Sequence, residues 1–182
     1  MSDRNATRAT GDVVWTSRDG ATLHLRPVRP DDFAIEQAFV DGLSFETGFR
    51  RLLSPRRLQP ADIERFTRID PAVEVALIAV EPPAAGGAMC GVARFVRSGV
   101  VAEWAIVLAD RWQGRGLGRA LLERLVDAAR VGGIERLSDV TLATNAPMIA
   151  LARALGFTVA REPRDATLRR LTLDLSPPAT EP

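Results

Sequence analysis

The residues with the clearest chemical use lie in the stretch Trp112 to Arg119, Trp-Gln-Gly-Arg-Gly-Leu-Gly-Arg. An apolar segment, 102–108, precedes it and an amphipathic pattern, 120–131, follows it, so we predict a strand, a glycine-rich turn and a helix. The first amides of a helix lack partners within the helix, and the helix dipole adds partial positive charge there. Because the glycines leave these amides uncovered and Arg115 and Arg119 stand beside them, the stretch predicts a site for phosphate or pyrophosphate.

Two common phosphate-binding motifs do not fit this stretch. The P-loop needs a Lys-Ser or Lys-Thr pair after its last glycine, and none follows here. The dinucleotide fingerprint Gly-x-Gly-x-x-Gly fails because Arg119 stands where the third glycine belongs. The pattern that fits is Gln113-x-x-Gly116-x-Gly118, which resembles the (Gln/Arg)-x-x-Gly-x-(Gly/Ala) signature of the GNAT superfamily of acyl-CoA N-acyltransferases. A glycine-rich turn without a ligand is the plainer alternative, which the three alternating glycines and their arginines disfavour.

A second segment supports this resemblance. The stretch from Asn145 to Phe157 begins with Asn and ends with Gly-Phe, as a segment of that superfamily does. The amino-acid sequences of both stretches, together with that of Ala102 to Val107, resemble the acetyltransferase domain of Pat-type protein lysine acetyltransferases. The resemblance extends from about Thr22 to Leu173. It implies an α/β (α+β) GNAT fold with a mixed central sheet of about seven strands, antiparallel in its first half, flanked by about four helices.

The order of elements along the chain agrees with that fold. Alternating or continuous apolar patterns predict strands at 22–27, 73–80, 88–96, 100–108, 139–143, 157–160 and 168–175. Apolar stripes with suitable ends predict helices at 30–43, 60–69, 120–131 and 145–155, while 44–54 is a connection or a short helix. We interpret 13–175 as a single GNAT acetyltransferase domain between a disordered N-terminus, 1–12, and a disordered tail, 176–182.

Composition and charge exclude several other classes of protein. A net charge of +1 without a long basic run gives no sign of nucleic acid binding. No apolar run is long enough for a membrane span, and the N-terminus lacks the apolar core of a secretory signal, so we expect a cytoplasmic protein without membrane contact. One Cys and one His disfavour a metal site. The oligomeric state is left open between a monomer and a homodimer.

The resemblance implies the residues that bind acetyl-CoA, the acyl donor. The loop residues implied for the diphosphate are Gln113, Gly114, Arg115, Gly116, Leu117, Gly118 and Arg119. The strand before the loop is expected to splay near Val107, so that the backbone amides of Ile106, Val107 and Leu108 bind the pantetheine and the thioester oxygen. Asn145 would bind the pantetheine arm. Arg153 either reaches the nucleotide or remains a solvated charge.

The resemblance also implies Glu103 as the general base, since it is the one charge in the apolar strand before the loop. The alternative is that Glu103 only meets solvent near the start of that strand. Many relatives place a Tyr where Ala152 stands, as the acid for the departing thiolate, but this chain has no Tyr. We interpret His24 as a surface residue and Cys90 as core filling rather than as a nucleophile.

The sequence thus predicts an acetyl-CoA-dependent N-acetyltransferase that acts on a primary amine, of a protein lysine or of a small molecule. The alternative is a non-catalytic acyl-CoA-binding or sensing module, which the missing Tyr favours and Glu103 disfavours. A nicotinamide-dependent oxidoreductase is disfavoured because the fingerprint fails. The acceptor is not readable from the sequence. The arginines before and after Leu52 either attract an acidic acceptor or form a solvated basic face, which we favour; they are Arg50, Arg51, Arg56 and Arg57.

Overall fold

A computed structural model describes residues 10–54 and 58–176. Its strands are β1 (Val13–Thr16), β2 (Thr22–Pro27), β3 (Glu74–Val80), β4 (Met89–Ser98), β5 (Val101–Leu108), β6 (Arg136–Leu142), β7 (Thr158–Glu162) and β8 (Asp165–Asp174). Its helices are α1 (Phe33–Asp41), α2 (Phe45–Leu52), α3 (Pro60–Thr67), α4 (Leu117–Val131) and α5 (Ala146–Ala154). The predictions of disorder at 1–9 and 177–182, and the residues Arg56 and Arg57, lie outside the described residues.

All the strands belong to one sheet of eight, in the order β1-β2-β3-β4-β5-β6-β8-β7. The pairs from β1 to β5 are antiparallel, and β5 pairs in parallel with β6. The predicted mixed sheet with an antiparallel first half is therefore confirmed, with eight strands and five helices among the described residues instead of seven and four. The prediction omitted β1, whose four residues depend on their pairing with β2.

The short segment that the sequence left open is the helix α2. Ser44 adopts an extended backbone before it and accepts a hydrogen bond from the amide of Thr47, which is the usual way to start a helix. Strand β6 begins at Arg136 rather than at 139. The apolar residues Ile134 and Leu137 are buried there, and the intervening charge of Arg136 pairs with Asp174 on the exposed surface. A run of charges hid this part of the strand from the sequence pattern.

Helix α4 packs on one face of the sheet with the predicted apolar stripe. Leu117, Leu121 and Leu125 are completely buried, and they join one large core cluster with side chains of β3, β4 and β5. A second cluster on the other face contains Phe39 of α1 and Ile78 of β3. The sheet is thus held rigid from both sides next to the glycine loop. None of the described helices is both long enough and apolar enough to span a bilayer.

The two parallel strands in the middle of the sheet separate soon after they meet. Strands β5 and β6 pair over three residues in the described structure, Val101–Glu103 against Arg136–Ser138. Beyond that point β5 continues beside β4, and β6 continues beside β8. We call the gap between residues 104–108 of β5 and 139–142 of β6 the fork. It opens three residues earlier than the expected splay near Val107, and it faces the glycine loop at the end of β5.

Candidate active site

Backbone amides at the start of α4 form the first part of the site. Gly114 and Gly116 have φ angles of 72° and 92°, in the left-handed region that glycine adopts without strain. Gly116 immediately precedes the helix, and no side chain in the described part of the protein caps the helix there. The amides of Leu117 and Gly118 therefore lack partners within the helix and are suited to bind an anion.

Gly118 allows the start of α4 to approach two neighbouring elements. A Cβ atom at this position would lie 3.3 Å from Cδ2 of Leu151 on α5 and 3.4 Å from Cδ1 of Leu108 on β5. Because protein interiors are close-packed, a larger residue would force these elements apart. The glycine thus brings the amides at the start of the helix close to the end of β5 and to the fork.

The fork supplies a second set of backbone groups. The amide of Ala109 donates to the carbonyl of Cys90 on β4 at 2.9 Å. Successive amides along a strand point to opposite edges, so the amide of Val107 also faces β4, whereas those of Ile106 and Leu108 face the fork. Two of the three amides implied for the pantetheine and thioester are therefore directed into the gap.

A cavity of about 400 Å³ connects the glycine loop with the fork. The glycine loop and α4 contribute Gln113, Gly114, Gly116, Gly118 and Arg119 to its lining, and β5 contributes residues 104–108. Residues of β6, β8, α5 and the start of α5 form the opposite wall. Helix α2 contributes one threonine and two arginines, and the β1–β2 turn contributes one arginine. These residues are Asp139, Val140, Thr141, Asn145, Pro147, Met148, Leu151, Leu171, Thr47, Arg50, Arg51 and Arg18.

Hydrogen bonds hold α2 beside the glycine loop. Asp110, which follows β5, accepts hydrogen bonds of 2.7 Å from the hydroxyls of Ser44 and Thr47. The side-chain amide of Gln113 donates to Thr47 Oγ1 at 3.2 Å and to the carbonyl of Leu108 at 3.4 Å. Gln113 therefore ties the end of β5 to the first turn of α2, and this contact directs one face of α2 towards the cavity.

The family of the chain follows from comparison with known proteins. The sequence model of the Acetyltransferase (GNAT) family matches residues 44–157, which include β5, the glycine loop, the fork and α5. An acetyltransferase of Pseudomonas aeruginosa is 32% identical over 160 residues, covering 85% of this chain and 86% of that protein. The chain belongs to the GNAT acetyltransferase family.

Two further relatives resemble this GNAT chain in sequence and structure. Acetyltransferase Pat of Mycolicibacterium smegmatis is 32% identical over 170 residues, which are 91% of this chain and 49% of that protein, so the chain spans about half of its length. The crystal structure of the GNAT domain of S. lividans PAT has a TM-score of 0.81 and 31% identity, covering 90% of this chain and 97% of that one. The resemblance to the GNAT domain of Pat-type proteins is confirmed, and the chain is an N-acetyltransferase of the acyl-CoA-dependent type.

Most of the residues that the sequence singled out lie together in this GNAT site. Those that line the cavity are Ile106, Val107, Leu108, Gln113, Gly114, Gly116, Gly118, Arg119 and Asn145. Asn145 caps α5 by accepting a hydrogen bond from the amide of Met148, and its amide nitrogen donates to Thr141 Oγ1 at 3.0 Å. Gln113 and Asn145 thus hold the elements around the cavity as well as lining it.

Two of the predicted arginines do not line the cavity. Arg115 pairs with Asp19 in the β1–β2 turn and lies 4.1 Å from the ring centre of Trp112. The hydrogen bonds from Arg115 and from Ser17 lower the pKa of Asp19 to about 2. Arg153 is exposed and does not line the cavity. Leu117 contributes its amide only, because its side chain is completely buried in the core.

Glu103 lies at the point where the fork begins. It is exposed, it pairs with Ser138 across the sheet, and it is not among the residues that line the cavity. The neighbouring position on β6 carries Asp139, which does line the cavity. Burial raises the pKa of Asp139 to about 6; the charge of Glu103 adds to this increase, whereas those of Arg51 and Arg170 oppose it.

Asp139 was not named as a site residue from the sequence, and a solvated position was favoured for Arg51. No pattern in the sequence singled out Asp139, because β6 mixes charged, polar and apolar residues. Arg51 lies one turn after Thr47 on α2, so both line the cavity from the same face of the helix. Within the described residues Arg51 makes no hydrogen bond or ion pair. Its guanidinium is therefore part of the cavity wall rather than of a solvated basic face.

The other candidate residues are placed as structural residues. His24 is exposed on β2. Cys90 is completely buried, and burial together with the charge of Glu81 raises the pKa of its thiol to about 11, so it is neither accessible nor ionised. Ala152 is also completely buried.

Proposed function

We propose that this GNAT protein transfers the acetyl group of acetyl-CoA directly to a primary amine that enters the fork. The observation that carries the proposal is the separation of β5 and β6 immediately beside the free amides at the start of α4. A helix terminus binds a diphosphate, and a gap between two strands admits an extended arm with its thioester. The cavity of about 400 Å³ joins these two features in one site.

Each part of acetyl-CoA has a set of groups suited to hold it. The amides of Gly114 to Gly118, with the nearby charge of Arg119, are suited to the diphosphate. The fork-facing amides of Ile106 and Leu108 are suited to the polar groups of the pantetheine arm and to the thioester oxygen. Because these donors are fixed by the sheet, they need no rearrangement when negative charge develops on that oxygen.

The reaction must also remove a proton from the acceptor. An amine with a pKa of about 10.4 is mostly protonated at neutral pH, so it must lose one proton before its lone pair can attack the thioester carbon. The new C–N bond forms, the C–S bond breaks, and the remaining extra proton on nitrogen is lost. We assign the proton acceptor to the carboxylates at the fork, with Glu103 in contact with solvent and Asp139 facing the cavity.

The departing thiolate has no tyrosine to protonate it, since the chain contains none and Ala152 is buried. A thiol with a pKa of about 8.5 is a tolerable leaving group without such help. We propose that water supplies this proton through the open end of the fork. The missing tyrosine is also the observation that favours the second candidate, a module that binds acyl-CoA without turnover.

The test is an acceptor screen with acetyl-CoA in which thiol release is measured across amines, amino acids and lysine peptides. The chain contains no lysine, so any acetyl-lysine that forms belongs to the added acceptor. If the protein is an acetyltransferase, thiol is released with at least one acceptor. Glu103→Gln then releases thiol more slowly, while its affinity for acetyl-CoA is unchanged. Acetyl-CoA binding without thiol release from any amine would instead support the non-catalytic module.

A further inference from the structure

Two opposite charges face the same end of the cavity without pairing with each other. Arg51 of α2 and Asp139 of β6 both line the cavity and attract one another, but they form no ion pair in the described structure. Both side chains are partly buried. A charge that is partly removed from water without a direct partner is costly, so a ligand that pairs with both charges would be bound strongly.

Two arginines near Arg51 differ from it because each forms an ion pair with an acidic side chain. Arg50 pairs with Glu46 along the same helix. Arg94 of β4 donates to Glu74 at 3.1 Å and to Glu36 at 3.3 Å, and its guanidinium lies 4.4 Å from the ring centre of Phe66. Arg51 lies near this network, and burial together with the charge of Arg94 lowers its pKa. Among the residues that the structure describes, Arg50 and Arg94 thus have partners and the guanidinium of Arg51 has none.

Trp104, a buried residue at the start of the fork, has a polar group without a partner among the described residues. Trp104 lines the cavity, its side chain is only 2% exposed, and its buried indole nitrogen has no hydrogen-bond partner within the described residues. An indole nitrogen is a donor only, so it requires an acceptor atom. The ring of Trp104 packs in the core, 4.9 Å from the ring centre of Phe157. Arg51 therefore offers the donors for an anionic group, and Asp139 offers an acceptor to an ammonium group.

The position of these residues distinguishes them from the donor end of the cavity. The diphosphate-binding amides lie at the glycine loop, beyond Leu108, whereas Trp104 and Asp139 lie where β5 and β6 begin to separate. The arm of an acyl-CoA that enters from the loop reaches this point last. The charges of Arg51 and Asp139 therefore face the acceptor amine rather than the nucleotide.

We propose that the acceptor is a small zwitterionic amine of the amino-acid type, with its anionic group bound by Arg51 and its amine held beside Asp139. This inference rests on the proposed acetyl transfer and names its acceptor class. A small acceptor is favoured over a protein chain because both charges lie inside a cavity of about 400 Å³ that must also admit the acyl arm. An amine without an anionic group would leave the guanidinium of Arg51 unpaired.

The experiment compares each amino acid with its own α-carboxamide, which keeps the amine and removes the negative charge. An α-amine next to an amide has a pKa of about 7.7 to 8.0, so the carboxamide is, if anything, easier to deprotonate. The expected result is that kcat/KM for thiol release favours the amino acid by at least about 10-fold. Loss of a hydrogen-bonded charge pair predicts a rise in KM of about 10- to 100-fold for the amino acid in Arg51→Gln.

Controls separate this effect from misfolding and from loss of the donor. Arg51→Gln should leave the affinity for acetyl-CoA and the KM of the carboxamide within about twofold, and Arg51→Lys should recover part of the loss. The matched control is Arg68→Gln, immediately after α3, where the exposed Arg68 pairs with Glu64 outside the cavity, and it should behave as wild type. Weakened acetyl-CoA binding in Arg51→Gln would contradict the assignment of this arginine to the acceptor.

The outcomes distinguish this inference from the proposed function. If carboxamides or lysine peptides are acetylated as well as free amino acids, or better, the zwitterion proposal is wrong although the enzyme is an amine acetyltransferase. If no amine releases thiol while acetyl-CoA still binds, the proposed acetyl transfer itself is wrong. Preference for free amino acids that depends on Arg51 supports both.

Discussion

The two ends of the cavity are built from different parts of the chain. At the glycine loop the ligand-binding groups are backbone amides, positioned by Gly114, Gly116 and the first turn of α4. At the fork they are the side chains of Arg51 and Asp139, which come from two distant elements. A backbone site accepts any diphosphate and tolerates changes of side chain, whereas one substitution changes a side-chain site. The comparison indicates that the loop fixes the acyl donor and the fork selects the acceptor.

The largest expected effect is on stability, and it compares Arg94, which forms two buried ion pairs, with Arg51 in the cavity wall. Arg94→Met leaves Glu36 and Glu74 buried without their partner, which should lower the free energy of unfolding by about 3–5 kcal/mol. Arg51→Met removes no hydrogen bond or ion pair to any described residue and should cost less than about 1 kcal/mol. Urea denaturation of both variants measures the difference. Equal losses would show that Arg51 serves the fold rather than a ligand.

The next effect concerns catalysis at the fork. Asp139→Asn should lower kcat by about 100-fold or more, because a carboxylate that holds or deprotonates the amine is lost, while acetyl-CoA binding stays unchanged. Burial raises the pKa of Asp139 to about 6, with Glu103, Arg51 and Arg170 as its charged neighbours, so wild-type activity should rise with pH through that value. A pH–rate profile measures this rise. If the Asn variant keeps the same rise, another group is responsible.

The glycine loop should respond through binding alone. Gly116→Ala forces a residue with a Cβ into a left-handed conformation, at about 1–2 kcal/mol, and should weaken acetyl-CoA binding by about 10-fold. Gly99→Ala is the matched control, because Gly99 has a φ of 64° in the β4–β5 turn, with no neighbouring atom within 4 Å of a Cβ. Calorimetry should show similar losses of stability but a change in acetyl-CoA affinity for Gly116→Ala alone. Equal affinities in the two variants would contradict the loop's assigned role.

Asp139 should also affect stability in a pH-dependent way. Its pKa is raised to about 6 in the folded protein, so between about pH 4 and 6 the folded state binds more protons than the unfolded state. Stability should therefore fall as pH rises through this window, by about 1 kcal/mol for a partly exposed group. Thermal unfolding of wild type and Asp139→Asn at pH 4 and 7 should show this loss in wild type only. A parallel loss in both proteins would exclude Asp139 as its source.

The smallest effect is expected at the rim of the loop. Arg119 lines the cavity but is exposed and pairs with Glu123 one turn along α4. Its attraction for a diphosphate is screened by solvent, so Arg119→Gln should weaken acetyl-CoA binding by only about 2- to 5-fold. Raising the salt concentration should remove most of the difference between variant and wild type. A loss greater than that of Gly116→Ala would mean that side chains, not amides, dominate at the loop.

The same contrast explains how much the sequence could predict. The glycine loop, α4 and the part of the cavity wall next to them were predictable because Gln113, Gly116 and Gly118 act within one short stretch whose local geometry makes the site. The antiparallel first half of the sheet was predictable from the resemblance to the GNAT superfamily. The charged start of β6 and the short strand β1 were not, because their placement depends on pairing with other strands.

The acceptor end was not predictable for a related reason. Arg51 and Asp139 line the same cavity only because Asp110 and Gln113 hold α2 against the loop and because β5 and β6 stop pairing after Glu103. Neither condition leaves a pattern in the sequence near these two residues. Arg51 in particular cannot be distinguished from its neighbour Arg50 without knowing which of them has a partner.

The most direct test of the account is a crystal structure of the protein with coenzyme A. The account predicts that the diphosphate contacts the amides of Gly114 to Gly118 and that the sulfur lies in the fork between β5 and β6. A diphosphate bound elsewhere, or an arm that does not enter the fork, would contradict it.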